Sequence, residues 1–326
     1  MIHVEPISVA GQQNYQGQVF PLVLANQTKA ATLNESTAWI AERRQSLIDQ
    51  AATHGVILFR GFPLKNANDF DQFITAFGLE NFPYDESLSN AVRVNRTPRV
   101  FTANEAPPSV TIFLHHEMAQ TPVYPSRLFF FCEQASETGG ATPVCRSDAL
   151  WDKLAAAKPE FARNCEAKGL KYTNVMPAAN DAASGMGRSW QSTLAADDRP
   201  AAEARLKKLG YSWEWLEDGS LRATTPVLPA VKKLKNGRTS FFNQLIAASK
   251  GWKDSRNDPS KAIRHGDGTP LDQEAVALAA QLGEELSFDV PWQTGDVAFV
   301  DNYVAMHGRR TFTGTRKVLA SLTAME

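Results

Sequence analysis

Ser109-Val110-Thr111-Ile112-Phe113-Leu114-His115-His116-Glu117 is the stretch on which the reading of this chain turns. Residues 109–114 read as a short strand, and side chains alternate along a strand, so His115 and Glu117 point one way while His116 faces the other. A second imidazole lies far downstream, at His307 in Asp301-Asn302-Tyr303-Val304-Ala305-Met306-His307-Gly308-Arg309. Two imidazoles and one carboxylate are the ligand set of a non-haem Fe(II) site, in which three protein ligands occupy one face and three positions stay open. A lone His-x-Glu is weak, because the pattern is common by chance and such histidines are often unrelated polar residues. The paired arrangement is stronger. His3, His54 and His265 have no partner at ligand spacing and read as surface or structural.

His307 must reach His115 from a neighbouring strand end, which a jelly roll allows. Gly55-Val56-Ile57-Leu58-Phe59-Arg60-Gly61-Phe62 reads as a buried strand bounded by glycines. Further short strands are predicted over 127–132, 221–225, 296–300 and 318–322. Trp39, Ile40, Leu47, Ile48 and Ala51 fall at helical spacing, with Ser36 or Thr37 as N-cap and Gly55 as stop. Phe70, Phe73, Ile74 and Phe77 form a second apolar stripe, read as core and ended by Gly78. The expected fold is mainly β with α decoration, a double-stranded β-helix (jelly roll) core with a helical insertion. Helix signals at 150–157 and 201–209 place that insertion at about 148–243, within a single domain over 1–326.

Composition narrows the function classes. A formal net charge of -1 gives no global field toward nucleic acid or an anionic membrane. The one basic cluster, Lys232, Lys233, Lys235 and Arg238, reads as a solvated turn. No apolar run approaches the roughly 20 residues of a membrane helix, and the N-terminus has no signal-peptide pattern. Cys132, Cys145 and Cys165, with no metal-ligand spacing, fit small buried residues in a reducing compartment. The expectation is a cytoplasmic protein that acts on a small molecule, with no nucleic-acid or membrane partner; nothing in the sequence excludes a homo-oligomer.

Arg316 adds the next element. A 2-oxoglutarate that chelates iron through its 1-carboxylate and keto oxygen leaves its distal carboxylate buried, and a guanidinium answers that group with two parallel hydrogen bonds. Arg316 opens the predicted strand Arg316-Lys317-Val318-Leu319-Ala320-Ser321-Leu322. Arg309, Arg310 and Lys317 are rivals, read as solvated or structurally paired. Thr142, in Gly139-Gly140-Ala141-Thr142-Pro143, offers a hydroxyl to the same carboxylate or is a plain turn residue.

Thr102-Ala103-Asn104-Glu105-Ala106-Pro107, Leu114-His115-His116-Glu117-Met118-Ala119, Gly139-Gly140-Ala141-Thr142-Pro143 and the stretch from Asp301 to Arg309 resemble the taurine dioxygenase superfamily. Within it they are most similar to the clavaminate synthase-like and syringomycin-biosynthesis-like branch. The resemblance runs from about Gly55 to the C-terminus. It implies a double-stranded β-helix and an Fe(II)/2-oxoglutarate-dependent dioxygenase that hydroxylates or desaturates its substrate with O2, releasing succinate and CO2. It carries metal ligation onto His115, Glu117 and His307, and 2-oxoglutarate binding onto Thr142 and Arg316. Related halogenases lack the carboxylate, so Glu117 argues against chlorination. The branch resembled suggests an amino acid or natural-product precursor as substrate. Asn104, Arg188, Trp190 and Asn243, with Arg93 and Gln244, are candidates to line its pocket.

Two other readings compete. A zinc-dependent hydrolase also uses histidines and a glutamate, but no His-Glu-x-x-His helix is present, and Arg316 and Thr142 would have no job. A non-catalytic β-barrel binding protein would make the histidines incidental.

Overall fold

Alternation along the strand Arg127–Gln134 organises the molecule. Leu128 and Phe130 face one core cluster while Phe129 and Phe131 face another. The computed structural model describes residues 2–324 apart from 84–86, 90, 92, 182, 185 and 253–255. In it Arg127–Gln134 sits inside a seven-stranded sheet in the order Val4–Pro6, Leu22–Asn26, Val56–Arg60, Val297–Asp301, Arg127–Gln134, Lys317–Leu322, Phe101–Thr102. Neighbouring strands are antiparallel except Leu22–Asn26 and Val56–Arg60.

Two helices cover the outer face of this sheet. Leu33–His54 starts earlier than the expected Ser36 or Thr37 cap, because Thr32 and Glu35 form a capping box: the Glu35 N–H donates to Thr32 Oγ1 (3.2 Å) and the Thr32 N–H to Glu35 Oε2 (2.9 Å). Gly55, at φ +79°, ends the helix as the sequence suggested. Ile40, Leu47 and Ala51 pack inward with Phe70, Phe73 and Ile74 of the helix Ala67–Thr75, against Phe59, Phe129, Phe131 and Phe299. Phe129 and Phe299 stack at 4.3 Å. Each fully buried phenylalanine contributes about 1.5–3 kcal/mol, so this aromatic layer is core, as expected.

A four-stranded sheet, in the order Ser287–Val290, Thr142–Arg146, Ala305–Arg309, Ile112–His115, shares the inner cluster with the large one. Its Val144, Phe288, Val290 and Ala305 pack with Leu128, Phe130, Val318 and Ala320. Its other face, through Leu114, Cys145 and Met306, packs against the helices Ser147–Ala157, Leu245–Gly251 and Gln273–Glu285. The architecture is mainly β with helices outside both sheets.

Between Thr142–Arg146 and Ser287–Val290 the chain carries helices, as expected, and also a four-stranded sheet of Ser212–Trp215, Leu221–Thr224, Leu170–Met176 and Ile263–His265. Of these strands only 221–225 stood out in the sequence. The basic cluster is less solvated than expected: Lys232 Nζ sits 4.1 Å from the Tyr303 ring centroid, and Arg238 pairs with Asp148 and Asp152. Cys132, Cys145 and Cys165 are free and buried. Among the described residues, no helix is long and apolar enough to cross a membrane.

Candidate active site

The register of the small sheet brings the distant histidines together. His307 pairs directly with His115 across adjacent antiparallel strands, and with Val144 on its other side. Directly opposed residues share a face, so both imidazoles project toward the large sheet, with ring centroids 4.3 Å apart and Phe130 packed on His307 at 5.0 Å. Glu117 follows in the turn after the strand and joins them. Ligand atoms of His115, Glu117 and His307 all lie within 4.8 Å of one another, and all three residues are buried.

The donor set fits a divalent cation. His115 Nδ1 is 2.7 Å from the Phe113 carbonyl, which makes it the protonated nitrogen and leaves Nε2 as the lone-pair atom facing Glu117. His307 Nε2 lies 3.4 Å from Glu117 Oε2, while its Nδ1 is buried without a partner among the described residues. Burial, then proximity to His307, lowers the His115 pKa to about 4, which keeps that imidazole neutral. Burial acts to raise the Glu117 carboxyl, but Arg93, then His307 and His115, outweigh it and hold the group below the usual carboxylate range. Arg93 Nη2 donates to both Glu117 oxygens, at 3.2 and 3.3 Å. Two imidazole nitrogens and one carboxylate are what an Fe(II) site requires.

Asn302 holds the ligand turn in place. Its Oδ1 accepts from the Glu117 N–H (2.8 Å), and its Nδ2 donates to the carbonyls of Glu117 (3.0 Å) and Pro125 (2.8 Å). His116 faces away, as alternation requires, wedged between the Asn302 carbonyl and the Ser147 hydroxyl. His54 and His265 have structural roles outside this cluster.

Arg316 and Thr142 lie in the same cavity, of about 360 Å3, as the three ligands. Arg316 Nε donates to the Gly140 carbonyl (2.8 Å) and Nη2 to Thr142 Oγ1 (3.3 Å); no described carboxylate pairs with it. Burial, then the nearby Arg309, lowers its pKa to about 10, so it stays charged at neutral pH. A largely buried cation facing only neutral oxygens is the complement of a bound anion. Gly140 makes the approach possible: a Cβ there would lie 3.0 Å from Arg316 Cδ and 2.4 Å from Ser136 Oγ.

Trp292, which drew no notice in the sequence, donates from Nε1 to Thr142 Oγ1 at 2.9 Å. With both acceptor sites of that oxygen taken, by Trp292 and Arg316, the Thr142 proton has to point elsewhere, and Thr142 faces the cavity. Trp292→Phe is expected to weaken 2-oxoglutarate binding by about 2- to 12-fold, the worth of one neutral hydrogen bond; an unchanged affinity in a 2-oxoglutarate titration contradicts it.

The remaining candidates divide. Asn104 lines the cavity, and its backbone is pinned by Arg309, which donates to the carbonyls of Asn104, Ala106, Pro107 and Val110. Arg93 and Gln244 also line it, the latter donating to the His116 carbonyl. Arg188, Trp190 and Asn243 do not. Arg188 is 4% exposed and spends its guanidinium on Ser87, Ser89 and Ser192. Trp190 packs edge-on against Trp215, and Asn243 bonds the Ala230 carbonyl and the Leu245 N–H. Of the rival cations, Arg310 pairs with Asp289 and Glu284 at the surface, and Arg309 spends Nη1 and Nη2 on the carbonyls above.

Comparison with known proteins agrees with this geometry. Residues 18–323 match the family described as Taurine catabolism dioxygenase TauD, TfdA. A clavaminate synthase-like protein of Arabidopsis thaliana is 39% identical over 317 residues, covering 95% of this chain and 96% of its own. The dapdiamide synthesis protein DdaC of Enterobacter agglomerans is 29% identical over 287 residues, 82% of each chain. Among solved structures, PvcB of Pseudomonas aeruginosa, described as an Fe, alpha-ketoglutarate dependent oxygenase from an isonitrile synthetic pathway, superposes with a TM-score of 0.55. At 14% identity it covers 92% of that chain and 100% of this one, a likeness of fold.

Proposed function

The chain belongs to the taurine catabolism dioxygenase TauD, TfdA family, and from that premise we propose that it hydroxylates a small amino acid or natural-product precursor. It is an Fe(II)- and 2-oxoglutarate-dependent dioxygenase acting with O2 on a small molecule. The zinc-hydrolase and binding-protein readings give way to that membership. The two principal sheets are read as the double-stranded β-helix of the family, in one domain over 1–326 with 148–243 as an insertion.

One observation carries the site assignment: the cluster of His115, Glu117 and His307 shares a cavity with an Arg316 that has no carboxylate partner among the described residues. His115, Glu117 and His307 hold the iron. Arg316 and the Thr142 hydroxyl hold the distal carboxylate of 2-oxoglutarate. When bound, iron, 2-oxoglutarate and O2 together supply the oxidant that takes a hydrogen from substrate, with succinate and CO2 released. The protein's part is placement and exclusion. Asn302 fixes the Glu117 turn, and Arg93 compensates the charge of Glu117 in a buried setting. Phe113, Ile112, Phe130 and Val318 supply apolar wall that keeps water from the reacting centre. Glu117 fills the third protein position, which favours hydroxylation or desaturation over halide transfer. The relative named for dapdiamide synthesis supports a precursor of that chemical kind.

The test is succinate release by the Fe(II)-loaded protein across a panel of L-amino acids and their N-acyl and amide derivatives. A compound that accelerates release and gains one oxygen atom supports hydroxylation; loss of two hydrogens redirects the reading to desaturation. Absence of stimulation across the panel removes the amino-acid class.

A further inference from the structure

Gln120 lies three residues beyond Glu117, in the turn that carries that ligand, where Met118 takes a left-handed backbone at φ +57°. The residue is 6% exposed, and its Oε1 is buried with no hydrogen-bond partner among the described residues. Exchanging the amide oxygen and nitrogen would leave an N–H orphaned in the same place. A buried polar group left unmatched destabilises a fold unless something else completes its bond.

Position shows what could complete it. Among the described residues, Gln120 and Trp252 are the two that line both the active-site cavity and a small adjoining one of about 20 Å3. That volume suits about one water-sized polar group. Its wall includes Thr121, Tyr172, Asn174, Thr193 and Thr225 and contains no charged side chain among the described residues. Thr193 Oγ1 is also buried without a partner among the described residues. The charged lining residues Arg93, Glu117, Asp181, Arg309 and Arg316 all belong to the larger cavity. An ionised group pushed toward Thr193 would lose its water and find no countercharge. A neutral donor and acceptor would find two waiting partners.

We propose that Gln120 sets substrate specificity by hydrogen-bonding an uncharged polar group of the substrate, a hydroxyl or a carboxamide, directed toward Thr193. This rests on the dioxygenase reading of the cavity and adds the chemistry of the group recognised. A site built around a hydrogen bond rejects an analogue that lacks it far more strongly than an apolar pocket rejects a missing methylene.

The experiment uses three pairs of near-isosteres as probes of the Fe(II)-loaded enzyme: L-asparagine with L-aspartate, L-glutamine with L-glutamate, and L-threonine with L-valine. Stimulated succinate release is measured for wild type and Gln120→Met. Wild type is expected to favour the neutral polar member of at least one pair by ~100-fold or more in kcat/KM, and Gln120→Met to bring the pair within about tenfold, mainly through KM. A preference that survives in Gln120→Met, or no preference in wild type among active probes, overturns the proposal. If no probe is active, the wider panel decides the amino-acid reading and melting of the ligand-free protein decides the role of Gln120. A melting temperature unchanged or raised by about 1–3 °C in Gln120→Met marks an amide kept for a ligand. A fall of several degrees makes the amide structural and overturns the proposal.

Discussion

His307→Ala is expected to abolish 2-oxoglutarate turnover and to weaken Fe(II) binding by more than about 100-fold, since losing even an outer partner of a metal ligand costs 10–100-fold. The residue contributes one of three ligand atoms that lie within 4.8 Å of one another, and no other described histidine reaches the cluster. His116, the nearest alternative in sequence, is turned away and held between the Asn302 carbonyl and the Ser147 hydroxyl. Removing the imidazole leaves a cavity against Phe130 and His115, so the melting temperature should drop modestly while the fold persists. His307→Gln, which restores much of the volume, separates ligation from packing: it should recover the melting temperature and leave turnover absent. Turnover retained by either variant would take His307 out of the ligand set.

Arg316→Ala should raise the 2-oxoglutarate concentration needed for half-saturation by about 10- to 150-fold, the range for hydrogen bonds to a charged group. Fe(II) affinity should hold, because Arg316 touches Gly140 and Thr142 and none of the three ligands. Arg316→Lys keeps the charge but loses the planar fork, and an intermediate affinity is expected. The comparison distinguishes charge from geometry. Equal losses in Lys and Ala variants assign the effect to the two-pronged hydrogen bonds; an unchanged affinity in both moves the anion-binding role to another cation.

Residue pattern gave up the chemistry of this site more readily than its surroundings. The cluster of His115, Glu117 and His307 could be anticipated because metal-ligand chemistry restricts residue type, and because strand alternation fixes which neighbours share a side. Arg316 was singled out by the charge of a co-substrate and Thr142 by the family resemblance, and the fold brings the two together in the cavity. Substrate candidates fared unevenly for a physical reason: a sequence shows that Arg188 is charged but not that its guanidinium is met by Ser87 and Ser89 about a hundred residues away. The same holds for Asn243, whose amide is used up locally by the Ala230 carbonyl and the Leu245 N–H. Asn302 and Trp292 act through neutral hydrogen bonds, a kind of role that leaves no mark in spacing or charge, although Asn302 lay inside a stretch already singled out. The buried strands around Phe59, Phe129 and Phe299 stood out through apolar runs. Ser212–Trp215 and Ile263–His265 did not, because they are short and partly polar and are held by pairing with Leu221–Thr224 and Leu170–Met176.

The most direct measurement is an anaerobic titration of the metal-free protein with Fe(II) and then 2-oxoglutarate, followed by the weak visible charge-transfer band of the chelate. Wild type should develop the band only when both are present, with one equivalent of each, and His307→Ala should develop none. Fe(II) binding without a band on 2-oxoglutarate addition, or a band undiminished in His307→Ala, would contradict the site built from His115, Glu117, His307 and Arg316.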